Sequence, residues 1–368
     1  MRKKYILSLL VAGVFALTSF SFAQETISAN EGNAGEPINT KEEISEAVDH
    51  HLLDSHYFDF FSDNIEGKHY GFALPVILVD DGVKVFSARE FDHGNNVVEK
   101  DGQFYTYYNS KIYKTNSEGQ LTLNESGFPT NERPLDLSIT KNVLVIFLMS
   151  IFMIWLFLSM AKSYKKQAIP KGAARILEPM IIFVRDDIAK QSIGPKYQKY
   201  MSFLLTIFFF ILFLNLLGMF PFGVNVTGSI TVTLALAIVT FFVTQFSGNK
   251  NYWKHIFWFP DVHPIVKIIL IPIEILGMLT KPFSLMIRLF ANMTAGHVMT
   301  MSFIGLIFVF KNWVAGPAFF GFALFISILE ILVAFLQAYI FTLLSALYIS
   351  AAVEEPEGAM GEDEVPVV

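Results

Sequence analysis

Apolar and polar positions divide the chain near residue 139. Before it the pattern is short and broken. Phe72 to Phe86 and Phe104 to Leu123 are rich in aromatic and β-branched residues, and Asp81-Gly82, Asp101-Gly102 and Glu118-Gly119 interrupt them. Such punctuation predicts hairpins, hence a small, mostly β domain. A short helix is expected ahead of it, from Lys41 to Phe61. Beyond residue 139 the pattern turns to long apolar runs: Asn142–Ala161, Met201–Phe222, Ile230–Phe246, Ile265–Phe310 and Ala318–Val353. Roughly 20 such residues cross a bilayer, so five crossings are expected. The last two runs are too long to stand upright. Thirty-six helical residues extend roughly 54 Å, against a hydrocarbon core of roughly 30 Å. Each must cross an odd number of times, so one steeply tilted helix apiece is the simplest arrangement.

Composition supports a membrane protein with a soluble part. The chain is 53% hydrophobic and 16% charged, and Phe alone occurs 38 times. The absence of cysteine excludes disulfides and Cys-ligated metals or Fe–S clusters.

Charge sets the expected topology. Arg2, Lys3 and Lys4 precede the apolar run Tyr5–Phe20, and Ser21-Phe22-Ala23 ends it with small residues. This is the form of a signal peptide, residues 1–23, cleaved before Gln24. Residues 24–138 carry 21 Asp and Glu against 8 Lys and Arg, a net −13, and form the expected exported soluble region, disordered to about residue 40. Between Lys162 and Lys199, nine Lys and Arg face only Glu178, Asp186 and Asp187, which places that loop in the cytoplasm. Within it Ile176, Met180, Ile181, Phe183 and Val184 fit an amphipathic surface helix. Ser247–Pro264, with two lysines and several aromatics, is expected as an interfacial cytoplasmic loop. Crossing parity puts the acidic tail, residues 354–368, in the cytoplasm. The expected fold is therefore an all-α polytopic membrane domain, residues 139–353, with five transmembrane helices, the last two long and tilted, plus a small mostly-β exported N-terminal domain.

The exported region holds His50, His51, His56, His69 and His93. His50 or His51 with Asp54 and His56 offers close ligand spacing, but no familiar zinc spacing is present, and no metal is assigned.

The chemistry-bearing residues lie in the two long runs. Arg288 sits among Leu285, Met286, Ile287, Leu289 and Phe290. A charge at mid-bilayer costs at least roughly 2.5–3.5 kcal/mol, and a guanidinium does not deprotonate, so it needs a carboxylate or a wet cavity. An Arg paired within its own chain, holding two helices together, is the structural alternative. Asn292, four residues on, shares the Arg288 face, and Lys281, seven residues earlier, lies near it. Glu274 lies fourteen earlier, about 40° round and roughly 21 Å along the helix. On the last run Glu330, Gln337 and Tyr348 point within about 20° of one another. His297, nine residues past Arg288, points the other way, and would meet Glu330 where the two helices cross. An intramembrane His with a Glu supplies groups that accept and release protons.

The run from Lys281-Pro282-Phe283-Ser284 through Arg288-Leu289-Phe290-Ala291-Asn292 to Ala295-Gly296-His297 resembles the signature of ATP synthase subunit a. Leu336-Gln337-Ala338-Tyr339-Ile340-Phe341 with Leu347-Tyr348-Ile349-Ser350 resembles that family's last helix. The likeness covers about residues 135–353. Many bacterial members have Glu where this chain has His297 and His where it has Glu330, whereas mitochondrial members resemble this arrangement.

The resemblance implies a stator with two proton half-channels beside a ring of c subunits, in a cytoplasmic membrane, with peripheral-stalk b subunits and the rest of the F-type ATP synthase as partners. It implies proton entry past His297, Glu330, Asn292 and Gln337, exit near Glu274, and Arg288 between the channels with Lys281 and Tyr348 in support. No cofactor and no nucleic acid is implied. The chain lacks a Gly-rich Lys-Ser/Thr nucleotide loop, so any catalysis on ATP belongs to other subunits. A secondary transporter would show an internal repeat or paired broken helices, and neither is visible. A membrane-anchored exported binding protein would need one span and no Arg288.

Overall fold

The computed structural model describes residues 44, 48, 52–63, 68–124, 128–166, 173–219, 224–258, 263–310 and 313–354. The expected signal peptide, the stretch to residue 40 and the tail beyond Glu354 lie outside these residues.

The N-terminal region is built from short antiparallel strands. β1 (Tyr57–Asp63) pairs with β2 (Lys68–Ala73). A second sheet orders β4 (Val83–Ser87), β3 (Pro75–Val79) and β8 (Leu135–Asp136), and a third orders β5 (Val98–Lys100), β6 (Gln103–Tyr108) and β7 (Lys111–Thr115). Two of the three turns read from the sequence close hairpins. Asp81 and Gly82 take positive φ between β3 and β4. Asp101 and Gly102 take positive φ in the two-residue loop between Lys100 and Gln103, as a turn matching strand twist requires. A further two-residue turn, Asn109-Ser110, has positive φ at both positions.

The expected helix over Lys41–Phe61 is shorter than the sequence suggested. Ile44, Val48 and Leu52 are helical, but β1 begins at Tyr57. Pairing with β2 captures an aromatic stretch that suits either structure.

Alternation along β3 and β4 turns Val76, Leu78 and Phe86 inward, where they pack with Tyr57, Phe91, Tyr105, Tyr107 and Ile112. Lys84 occupies an inward position and is buried. Its Nζ donates to the Tyr105 hydroxyl at 2.8 Å, which donates to Asp80 Oδ2 at 2.7 Å. Asp80 also pairs with Lys114 at 2.8 Å.

Among the described residues no group of three potential metal ligands converges; His50 and His51 lie outside them. His56, 2% exposed, donates from Nε2 to Asp136 Oδ2 at 3.1 Å and meets the Tyr107 ring edge-on. His93 stacks on Tyr57. Burial opposes the Asp136 carboxylate, but the His56 ring and Ser138 outweigh it and hold its pKa below the ordinary 3.8. Its stabilising effect is therefore present at neutral pH and is lost as pH falls through that depressed value. Asp136→Ala is expected to cost about 1–3 kcal/mol of local stability. Faster amide exchange at Ile77 and Leu137, which bond the Asp136–Ser138 segment, would report it, with the difference from the parent chain fading in strong acid.

Five helices are long and apolar enough to cross a membrane: Lys141–Lys165, Ala174–Gly218, Ile230–Ser247, Val266–Phe310 and Ala315–Val353. They coincide, to within two residues at their ends, with stretches built from α1 (Lys141–Lys166), α2 (Ala173–Phe183), α3 (Tyr197–Gly218), α4 (Ile230–Ser247), α6 (Pro264–Phe310) and α7 (Ala315–Val353). α2 is the amphipathic helix expected in the basic loop, but its buried residues are Ala174 and Leu177, continued by Val184 and Ile188 just beyond its end, and Ile176 is exposed. A π-helical stretch, Val184–Lys190, continues it. The expected interfacial loop contains a short helix, α5 (Lys250–Phe257). α6 and α7 are each one continuous helix, of 47 and 39 residues, and α6 runs through Pro272 and Pro282.

Two compact units divide the chain. One takes the described parts of Met1–Phe152 with Phe213–Val232 and Phe290–Ala334. The other takes Met153–Leu212, Thr233–Leu289 and the described part of Phe335–Val368.

Candidate functional site

In the first unit, three features fix the stretch of α6 that carries His297. Phe303 stacks on Phe322 of α7 at 5.8 Å. The turn after α3 packs on α6 as well: Thr294 donates to the Gly228 carbonyl, and Met293 lies where a Cβ on Gly218 would sit. That turn is held by Asn225, whose side chain accepts from the Gly228 amide at 2.9 Å, and by Thr227, which donates to the buried Asn215 at 2.8 Å. The third feature is Gly296. A Cβ there would come 2.5 Å from Glu330 Oε1, so the absence of a side chain lets the Glu330 carboxyl of α7 rest on the α6 backbone beside His297. His297 is 9% exposed and Glu330 is half-buried. The crossing expected from the sequence thus brings Glu330 onto the turn that carries His297.

Thr300, one turn beyond Gly296, acts on Glu330 as well. The sequence reading passed over Thr300, although its spacing of three from His297 puts it on a neighbouring face. Asn292 is exposed on α6.

The second unit holds Arg288, Lys281, Glu274, Gln337 and Tyr348. Leu285, Met286 and Leu289 are buried, whereas Ile287 is 51% exposed. Arg288 is half-buried, at the border between those two faces. The ion pairs of the described residues do not include it. Its charge acts on the Tyr348 hydroxyl of α7. Lys281 Nζ lies 5.4 Å from the centre of the Tyr348 ring, a cation–π contact joining α6 to α7. Gln337 is buried on α7 at 3% exposure.

α7 is further set by aromatic contacts from Phe183 to Tyr339 and from Phe208 to Phe335. Its end is tied down where Asn249 Nδ2 donates to the Val353 carbonyl at 2.9 Å. Glu274 lies within electrostatic reach of Tyr252 on α5, whose hydroxyl meets Gln245 at the end of α4.

Both long helices keep wide apolar surface uncovered. On α6 this includes Ile273, Leu276, Phe283 and Ile287, and on α7 Phe325, Ile328 and Leu332. Surface of this kind is stable only against lipid or an apolar partner.

The family described as ATP synthase A chain matches residues 143–350. A domain of unknown function (DUF8433) matches residues 47–137. ATP synthase subunit a of Chloroherpeton thalassium is 49% identical over 226 residues, 59% of this chain and 67% of the relative. ATP synthase subunit a 2 of Chlorobaculum tepidum is 45% identical over 237 residues, covering 62% and 67%. ATP synthase subunit a of Myxococcus xanthus is 43% identical over 226 residues, covering 60% and 74%. With more than half its length matched and five helices able to cross a bilayer, this multi-pass membrane protein belongs to the ATP synthase A chain family.

Proposed function

We propose that this chain is the stator subunit of the rotary F-type ATP synthase, forming two proton half-channels beside the ring of c subunits and coupling proton translocation to ring rotation and ATP synthesis. The N-terminal domain, residues 24–138, is exported across the cytoplasmic membrane after removal of residues 1–23, and the C-terminus stays in the cytoplasm. Protons enter from outside past His297, Glu330, Asn292 and Gln337 and bind a ring carboxylate. They ride with the ring and leave near Glu274. Arg288 stands between the two half-channels, with Lys281 and Tyr348 supporting that stretch of α6. Its fixed charge favours the ionised ring carboxylate, which must release its proton on arrival. The same charge opposes direct passage of a proton between the half-channels. Peripheral-stalk b subunits hold the chain against rotation, and the chain itself carries out no chemistry on ATP.

The observation that carries this reading is Arg288: a permanent cation at the edge of a broad apolar surface, outside the ion pairs of the described residues. Such a charge is costly at membrane depth unless an acid from another chain meets it. The chain has no cysteine, so Ile287→Cys creates a unique thiol beside Arg288. In the purified complex, that thiol should cross-link to a cysteine introduced next to the ring carboxylate. Efficient modification by a lipid-soluble maleimide, with no adduct to the ring subunit, would remove Arg288 from the rotor surface and with it this function.

A further inference from the structure

Asp54 connects the N-terminal domain to the membrane domain in a way that neither the family signature nor the β fold accounts for. Thr140 Oγ1 donates to Asp54 Oδ2 at 2.9 Å, and the Asn142 amide donates to Asp54 Oδ1 at 3.1 Å. The Lys141 amide donates to the Ser55 carbonyl at 2.9 Å. Asp54 thus receives the first turn of α1 from a segment more than 80 residues away, and part of its surface remains open.

The same segment reaches α6. Ile44 is buried, and a Cβ on Gly305 would lie 3.0 Å from its side chain, about two turns beyond His297. The charge of Lys141 acts on both Asp54 and His297. Asn142, whose amide bonds Asp54, is 3% exposed, and its Oδ1 finds no donor among the described residues. Asn225 Nδ2, in the turn packed on α6, is likewise buried without a partner among the described residues. Buried polar atoms are almost always hydrogen-bonded, to protein or to water, so these two mark ground suited to water.

We propose that Asp54 is a proton-carrying residue at the outer mouth of the entry half-channel, upstream of His297; this rests on the function proposed above. A proton from the outer solution forms an O–H bond at the Asp54 carboxyl. That bond breaks as the proton passes to water at Asn142 Oδ1, and an N–H bond forms at the His297 ring. No electrons change hands, and the carboxylate is restored.

The surroundings suit this exchange. Burial raises the Asp54 pKa above the ordinary carboxylate value, while the hydrogen bonds from Asn142 and Thr140 and the charges of Lys141 and His56 oppose that rise. Asp59 also acts on Lys141. Asp54 also caps α1, and a cap alone needs only an acceptor oxygen. The two roles differ in what they tolerate. Asp54→Asn keeps the shape and the acceptor but cannot titrate, and Asp54→Glu keeps titration but alters the cap.

ATP synthesis by the whole reconstituted complex, followed against the pH of the compartment facing the exported domain, separates the roles, with co-purified ring subunit as the measure of assembly. Asp54→Asn should lower the rate about tenfold and lose the inflection of a titrating carboxyl, while Asp54→Glu keeps most of the rate. Equal behaviour of the two variants in assembled complex, both normal or both impaired, overturns the proposal, as does a normal Asn variant beside an impaired Glu variant. Arg288→Ala in the same preparation tests the underlying function separately: coupled activity there would overturn that function, whatever Asp54 does.

Discussion

Arg288→Ala is expected to abolish ATP-driven proton pumping in inverted membrane vesicles, a loss of at least about 100-fold, while the complex still assembles. Assembly should survive because the buried neighbours Leu285, Met286 and Leu289 hold this stretch of α6, and Arg288 is only half-buried. Pumping should not survive, because no other group on this surface carries a charge that pH cannot remove. Without that charge, a ring carboxylate has no reason to release its proton on arrival, and protons can pass between the half-channels without turning the ring. Arg288→Lys should recover little. An ammonium on a flexible stem does not reproduce a planar guanidinium, and it loses its proton far more readily when desolvated. Vesicles should be compared at equal subunit content, with ATP hydrolysis measured alongside. Hydrolysis without acidification is the expected pattern, and coupled acidification by the alanine variant would overturn the role of Arg288.

Much of this was legible in the sequence, for identifiable reasons. The membrane helices were readable because an apolar run of about 20 residues has few other uses. Arg288 was readable because charge in such a run is costly. The turns at Asp81-Gly82 and Asp101-Gly102 announce positive φ through glycine, whereas Asn109-Ser110 adopts the same geometry without it and was missed. Residues 57–61 read as the end of a helix because their aromatic run suits either structure, and only pairing with Lys68–Ala73 decides between them. The π-helical stretch Val184–Lys190 left no mark in the apolar period. At the site, the likeness to a known family named the residues, but contacts between distant segments were out of reach. Nothing in the pattern announces that Gly296 is a seat for Glu330, or that Asp54 receives the first turn of α1.

Glu330→Gln is the second large effect expected: proton flux should fall on the order of 100-fold with assembly intact. Glutamine has the shape of glutamate, so the contact with Gly296 and the packing of Phe303 on Phe322 should persist. What disappears is the capacity to take up and release a proton next to His297. A structural role would predict the reverse: a neutral, isosteric side chain in a half-buried site relieves desolvation and should be tolerated. Gly296→Ala approaches the same point from the opposite helix. Its Cβ would meet Glu330 Oε1 at 2.5 Å, so the carboxyl must move off the α6 backbone while remaining able to titrate. The alanine variant should therefore slow flux less than the glutamine variant. Passive proton flow through reconstituted complex, at matched subunit content, gives the order: parent fastest, Gly296→Ala intermediate, Glu330→Gln slowest. If glutamine at 330 conducts as the parent does, Glu330 lies off the path, and the contact with Gly296 serves only to pack α6 against α7.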